Sequence, residues 1–270
     1  MKSSNAPLAI ADHREFNYAL TKQKRPKKTI LANRGIDVLA EILKYRNNIS
    51  AGTATPIAFT DPEIVAFHSL YDSTASDIAD IKASVIKLYG GAGLCPYCQI
   101  DMHKDLDHFL PRSVFPEFSV SSQNLVPACS SCNTTHKKAL WGNGPNRLFF
   151  HPYFDEIPNV QFIECDFSIL SAKLYRISFK IGQNPNLPAD LNSLLQRHFT
   201  TMCLNERYIA KATAEELPKL ENLMSMKNTT AERVVDMTFF IEQQIIVNSM
   251  NSWNYAFYRA LAGHIAEFCE

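Results

Sequence analysis

The sequence predicts an α+β chain, with a small β-containing centre held between mainly helical flanks and a β-hairpin after it. Three observations predict this. Apolar residues recur at helical spacing on both sides of the middle of the chain. Two later runs, Val160 to Phe167 and Leu174 to Ile181, are rich in β-branched and aromatic residues and stand close enough to pair. Between the helical flanks lie two C-x-x-C pairs, Cys95-Pro-Tyr-Cys98 and Cys129-Ser-Ser-Cys132, separated by more residues than a simple ribbon needs.

Taken in order, residues 1–35 read as a basic, mobile N-terminal segment, and 36–92 as a helical region. Ile36, Leu39, Ala40 and Leu43 set a helical stripe, and Asn48 to Pro56 reads as a polar linker. Thr60-Asp61-Pro62-Glu63 has the form of a helix start, with a Thr cap, Pro in the first turn and Glu three residues on. That helix is expected to run through Leu70, with another from Ser76 to Tyr89 that Gly90-Gly91-Ala92-Gly93 ends. Residues 93–155 form the expected core, including a short helix from Asn133 to Leu140, and 156–270 carry the hairpin and a helical C-terminal region. In that region helices are expected over Leu187–Tyr208, Ala214–Met226 and Ala231–Phe268, the last broken near Asn251. Its apolar stripe, Val234, Met237, Ile241, Ile245 and Val247, reads as core packing or as a partner interface.

Composition narrows the function classes. The chain has 270 residues, is 46% hydrophobic and 20% charged, and so has the means to build a packed core. Its formal net charge is zero, which excludes a global basic field; binding to nucleic acid has to rest on local patches. One such patch is Lys22, Lys24, Arg25, Lys27, Lys28 and Arg34, a run without an acid, either a solvated arm or a phosphate grip. The polar stretch from Met1 to Asn17 predicts no secretory signal, and no run of about 18 apolar residues predicts a membrane span. Of the seven cysteines, Cys165, Cys203 and Cys269 stand outside the two pairs and are expected to be buried free thiols in a reducing cytoplasm.

Chemistry concentrates in the centre. Each C-x-x-C turn presents two thiolates to one ion, and Cys95, Cys98, Cys129 and Cys132 together complete a tetrahedral four-sulfur zinc site. A saturated site has no open position, so this zinc is structural. Between the pairs lie Asp107, His108 and Asn124, and Asn133 follows the last cysteine. Adjacent residues in a strand leave on opposite faces, so one of Asp107 and His108 can bind a metal while the other faces substrate. Asp and Asn offer hard oxygens, which suit Mg²⁺ or Mn²⁺, and a metal-free imidazole takes a proton from water at neutral pH.

The runs Leu106-Asp107-His108-Phe109-Leu110-Pro111, Gln123-Asn124-Leu125-Val126-Pro127 and Cys129-Ser-Ser-Cys132-Asn133 resemble the HNH (ββα-metal) endonucleases with a four-cysteine zinc site. The resemblance covers about Leu94 to Lys138. It implies that Asp107 and Asn133 hold a catalytic Mg²⁺ or Mn²⁺, that His108 is the general base, and that Asn124 bonds the loop backbone and orients that base. It also implies phosphodiester hydrolysis in double-stranded DNA, leaving 5′-phosphate and 3′-hydroxyl ends. The letters at the first and last motif positions depart from the literal H-N-H.

Neighbouring residues keep more than one reading. His136 is a third ligand, a phosphate contact or a surface histidine. Lys137 and Lys138 grip phosphates or line a solvated helix face. Arg112 braces the scissile phosphate or pairs with Glu117. His103 reads as a loop residue. His151-Pro-Tyr-Phe-Asp155 reads as core packing, with Tyr153 and Asp155 able to border the site. The alternative function is a non-catalytic zinc module that binds nucleic acid or protein. A further one is a nuclease subunit gated by a partner ATPase or other regulatory protein, since the arrangement also resembles the HNH proteins of bacterial anti-phage systems of the Septu type.

Overall fold

The computed structural model describes residues 16–17, 19–21, 23–73, 76–89, 93–247 and 249–268. The chain divides into two units, one running to Tyr97 and resuming over Asp101–Glu156, the other comprising Cys98–Ile100 and everything from Ile157 on.

The first unit opens with helices α1 (Lys27–Asn33), α2 (Gly35–Ala51), α3 (Asp61–Tyr71) and α4 (Ser76–Leu88). Helix α1 therefore lies inside the stretch read as a basic arm, and α2 extends into the stretch read as a linker. Gly52 ends α2 in the left-handed region at φ 66°, and an added Cβ would come within 2.8 Å of the Gly144 backbone, so this turn requires glycine. Helix α3 starts as its sequence dictates: Glu63 accepts from the Thr60 backbone N–H at 2.8 Å, completing a capping box with Pro in the first turn.

After the helices comes a two-stranded antiparallel sheet, β1 (Asp105–His108) with β2 (Leu125–Ala128), in a register that sets Asp107 opposite Val126 and His108 opposite Leu125. A short helix at Ser131–Lys137 follows, wound more widely than an α-helix, where a helix over Asn133 to Leu140 was expected. The sheet and this helix make a ββα unit. All four residues of β2 are buried, and helix α4 packs against that strand. Phe115, Phe149 and Phe150 are buried in the same unit.

The second unit is built on the expected hairpin, β3 (Ile163–Ser171) with β4 (Leu174–Ile181), turning at Lys173 with φ 57°. Helices α5 (Ala189–Thr201), α6 (Leu204–Lys211), α7 (Leu217–Ser225), α8 (Thr230–Val247) and α9 (Trp253–Ala262) follow. The single helix expected over Leu187–Tyr208 is two, because Cys203 takes a left-handed backbone at φ 49° and breaks the ladder. The break near Asn251 is present and has a job: the Asn251 amide accepts from Phe162 N–H at 2.7 Å and donates to the Val160 carbonyl at 2.8 Å. Along α8 the stripe is only partly core, with Met237 buried but Val234 and Ile245 each 45% exposed. Among the three scattered cysteines, Cys165 is half-buried and free, Cys203 is free but exposed instead of buried, and Cys269 lies outside the described residues. Among the described residues no helix is long and apolar enough to cross a membrane.

Candidate metal and nuclease site

Cys95, Cys98, Cys129 and Cys132 are all buried, and their sulfurs lie within 4.8 Å of one another. Thiolates about 2.3 Å from one zinc stand roughly 3.8 Å apart at the corners of a tetrahedron, so the cluster is compatible with that ion. Local backbone geometry prepares the thiolates: Ile100 N–H points at the Cys98 sulfur and Cys132 N–H at the Cys129 sulfur, both at 3.4 Å. The first pair lies in a loop closed by the Leu94–Met102 bridge, and the second where β2 turns into the short helix.

The two faces of β1 differ sharply. Asp107 points inward and is 2% exposed. Tyr97, from within the first C-x-x-C turn, donates its hydroxyl to Asp107 Oδ2 at 2.8 Å. Burial, and then this carboxylate, push the Tyr97 phenol well above its ordinary range. Lys137, fully buried, places its ammonium 3.1 Å from each Asp107 oxygen and 2.8 Å from the His108 carbonyl. The ammonium thus donates to Asp107 Oδ1 and to the His108 carbonyl, with the second carboxylate oxygen at ion-pair distance, and a buried lysine needs such partners. Burial pulls its pKa down while Asp107 holds it up. The expectation of a surface lysine on phosphate is corrected here: Lys137 is a core cation, and only Lys138 of the two is exposed.

His108 leaves the other face. Its Nε2 lies 2.9 Å from the Ser119 carbonyl, and a carbonyl only accepts, so Nε2 carries the proton and Nδ1 keeps the lone pair. Burial is the first cause lowering its pKa, to about 4, so the ring is neutral at physiological pH. Asn124, wholly buried, spans the loop between the strands. Its Oδ1 accepts from Leu110 N–H at 2.8 Å and from the Tyr45 hydroxyl at 2.7 Å, while Nδ2 donates to the Leu110 carbonyl at 3.0 Å. The loop that carries the Ser119 carbonyl is thereby tied at its far end.

Asn133 and His136 are half-buried on the short helix, with Asn133 about one turn before Lys137. His151 is in the core, its ring 4.1 Å from Phe109 and its pKa held well below the ordinary value by burial. Tyr153 donates to the Leu125 carbonyl at 2.8 Å, and Asp155 pairs with Arg147 at 2.6 Å. His103 is 8% exposed, packed 5.5 Å from the Tyr89 ring. Arg112 pairs with Asp72 at 2.8 Å and not with Glu117. Glu117 is itself 1% exposed with no hydrogen bond to either oxygen, and burial raises its pKa to about 7.

Sequence reasoning missed Tyr45, Tyr71 and Lys82. Tyr71 ends helix α3 with its ring 4.5 Å from that of His108, edge to face. Lys82 of α4 sits 3.9 Å from the Tyr71 centroid. Their position depends on how helices separated in sequence pack, and no local motif marks it. Tyr97 did carry a signal, since it lies inside the C-x-x-C turn.

A family model described as HNH endonuclease matches residues 95–139, the segment that holds the ββα unit and its cysteines. Protein ea31 of Escherichia phage lambda is 32% identical over 121 residues, covering 44% of this chain and 40% of that protein. The chain thus spans about two fifths of the length of this relative. No solved structure matches the chain.

Proposed function

We propose that the chain is a metal-dependent endonuclease that hydrolyses phosphodiester bonds in double-stranded DNA, with His108 as general base. The observation that carries this reading is the Ser119 carbonyl on His108 Nε2, which leaves Nδ1 as a proton acceptor, on the strand that also carries the buried Asp107. A zinc module without chemistry has no use for that fixed tautomer, nor for Asn124 strapping the loop that imposes it.

In this reading four thiolates hold a structural zinc, and Asp107 and Asn133 hold Mg²⁺ or Mn²⁺. The donor type fits, since both supply hard oxygens. Asp107 already carries a cation, the Lys137 ammonium at 3.1 Å, so the position accepts positive charge. A divalent ion held there would repel that ammonium, so Asp107 would have to release Lys137 to take the ion. The ion, when bound, supplies a Lewis acid that polarises the phosphoryl group and stabilises the leaving 3′ oxygen. His108 removes a proton from the attacking water through Nδ1, and the Ser119 carbonyl stabilises the imidazolium that forms. Asn124 keeps that carbonyl in place; His136 is a candidate third ligand. Lys138 is the exposed cation of the helix and is assigned to DNA phosphate.

The finer form of the proposal is a cytoplasmic role in bacterial defence against phage or foreign DNA, with a partner ATPase as a gate. The test is plasmid cleavage by the purified chain with Mg²⁺ or Mn²⁺, beside His108→Ala. Nicking by the parent falls at least about 100-fold in the variant while zinc content stays unchanged. Equal cleavage by both proteins removes His108 from the chemistry. Cleavage by neither, with zinc bound and the fold intact, favours a gated subunit or a binding module, and adding an ATPase partner separates these.

A further inference from the structure

We propose that Tyr71, Lys82 and Arg112 form a phosphate seat beside His108, built largely by helices that precede the HNH segment, which holds a backbone phosphate of the DNA next to the bond being cut. The proposal rests on the nuclease reading for its substrate. Two of its three residues, Tyr71 and Lys82, lie outside residues 95–139, so they are additions of this chain to the matched domain.

The geometry is a platform with two cations. The Tyr71 ring meets the His108 ring edge to face at 4.5 Å, which fixes the platform at the general base. The Lys82 ammonium lies 3.9 Å from the Tyr71 centroid and donates to the Tyr71 carbonyl at 3.1 Å. That carbonyl is at the C-terminal end of α3, where free carbonyls attract a cation. The Arg112 guanidinium stands 5.4 Å from the same ring. Arg112 is held at both ends: its carbonyl accepts from His68 Nε2 at 2.9 Å, and its guanidinium pairs with Asp72 at 2.8 Å. Cations set against an aromatic ring at these distances are attracted by its quadrupole and kept in place before any ligand arrives.

The charge balance favours an anion. Asp105 and Asp107 also act on the Tyr71 environment, but Asp107 is neutralised by Lys137. Asp72 is 57% exposed and is Arg112's partner in a pair that water screens, so it offsets Arg112 weakly. Lys82 is half-buried against the Tyr71 ring and carbonyl, and the carboxylate that acts on it is Asp72, which Arg112 also uses. One exposed carboxylate thus serves two cations, and a phosphate oxygen supplies the counter-charge they share too little of. An arginine fork beside it adds two directed donors, the usual geometry for a phosphate.

The experiment separates binding from cutting. The His108→Ala protein, unable to cleave, is titrated with a fluorescent DNA duplex over a series of salt concentrations. It is compared with His108→Ala carrying Lys82→Ala, Arg112→Ala or Lys82→Arg. Zinc content and thermal melting confirm that each is folded. Each alanine variant is expected to bind about tenfold more weakly at low salt, and its log–log salt slope to fall by about 0.9, the value for one duplex phosphate contact. Lys82→Arg keeps most of both. Unchanged slope and affinity in both folded alanine variants overturns the seat, and so does a parent that shows no salt-dependent duplex binding. If the slopes fall but the wild-type chain never cleaves, the nuclease reading fails and the seat stands. If cleavage is present and the slopes do not move, the reverse holds.

Discussion

Two lysines on either side of β1 differ in what surrounds them. Lys137 lies on the Asp107 face, fully buried, bonded to Asp107 and to the His108 carbonyl. Lys82 lies against Tyr71 on the His108 side, half-buried, and shares the exposed Asp72 with Arg112. The same ammonium is therefore a structural counter-ion on one side of a four-residue strand and a partly compensated charge on the other. Solvent decides the difference. Where water is excluded, a charge has to be fully paired; where water reaches, a charge can be left short of partners and remain available.

The largest effect expected bears on the frame that both faces share. Chelating zinc, or replacing Cys132 with Ser, removes an ion whose binding in small zinc-dependent folds supplies on the order of 10 kcal/mol, more than a unit of this size has to spare. The first unit should lose its cooperative melt, with zinc stoichiometry falling below one per chain. An unchanged melt after complete zinc loss would show that the cysteines are incidental to the fold.

Next comes the direct contrast. Lys137→Ala leaves the Asp107 charge buried with no counter-ion and only the Tyr97 hydroxyl as partner, and should destabilise the protein by about 3–5 kcal/mol in chemical denaturation. Pairing Lys137→Met with Asp107→Leu should recover most of that loss, because both charges then leave together. Lys82→Ala should move stability by less than about 1 kcal/mol while weakening DNA binding. If Lys82→Ala is as damaging to stability as Lys137→Ala, the distinction between the two faces is wrong.

Smaller than the loss at Lys137→Ala is a pH dependence at Glu117. Its folded pKa, about 7, lies above the reference value of 4.5, so the folded protein holds a proton that the unfolded chain releases. Stability from this group is complete below about pH 4.5 and is lost as pH rises through about 7, by up to about 3 kcal/mol. Glu117→Gln should flatten that decline, read as urea midpoints at about pH 5 and about pH 8. A decline of equal size in the variant would assign it to other groups.

Much of this was legible in the sequence wherever a signal is local. Thr60 and Glu63 three residues apart mark a helix start, and the two β-rich runs mark the hairpin. The four cysteines declare their cluster by spacing alone. What was illegible depends on winding and on distant packing. Lys137 and Lys138 are neighbours of one type, but Lys137 closes the short helix against β1 while Lys138 leaves it at φ 50°, which sends one inward and the other outward. Cys203 breaks a helix without a glycine or proline to announce it. Tyr71 and Lys82 reach His108 from separate helices, and nothing near either residue in the chain foretells the meeting.

Tyr97 sits between the two cysteines of the first pair and ends, through its hydroxyl, on Asp107. One turn of backbone thus gathers sulfur and aims oxygen. Both tasks fall to the same turn, so a disturbance at the thiolates travels to the carboxylate within a single side chain's length. A protein short of zinc loses its aim along with its staple.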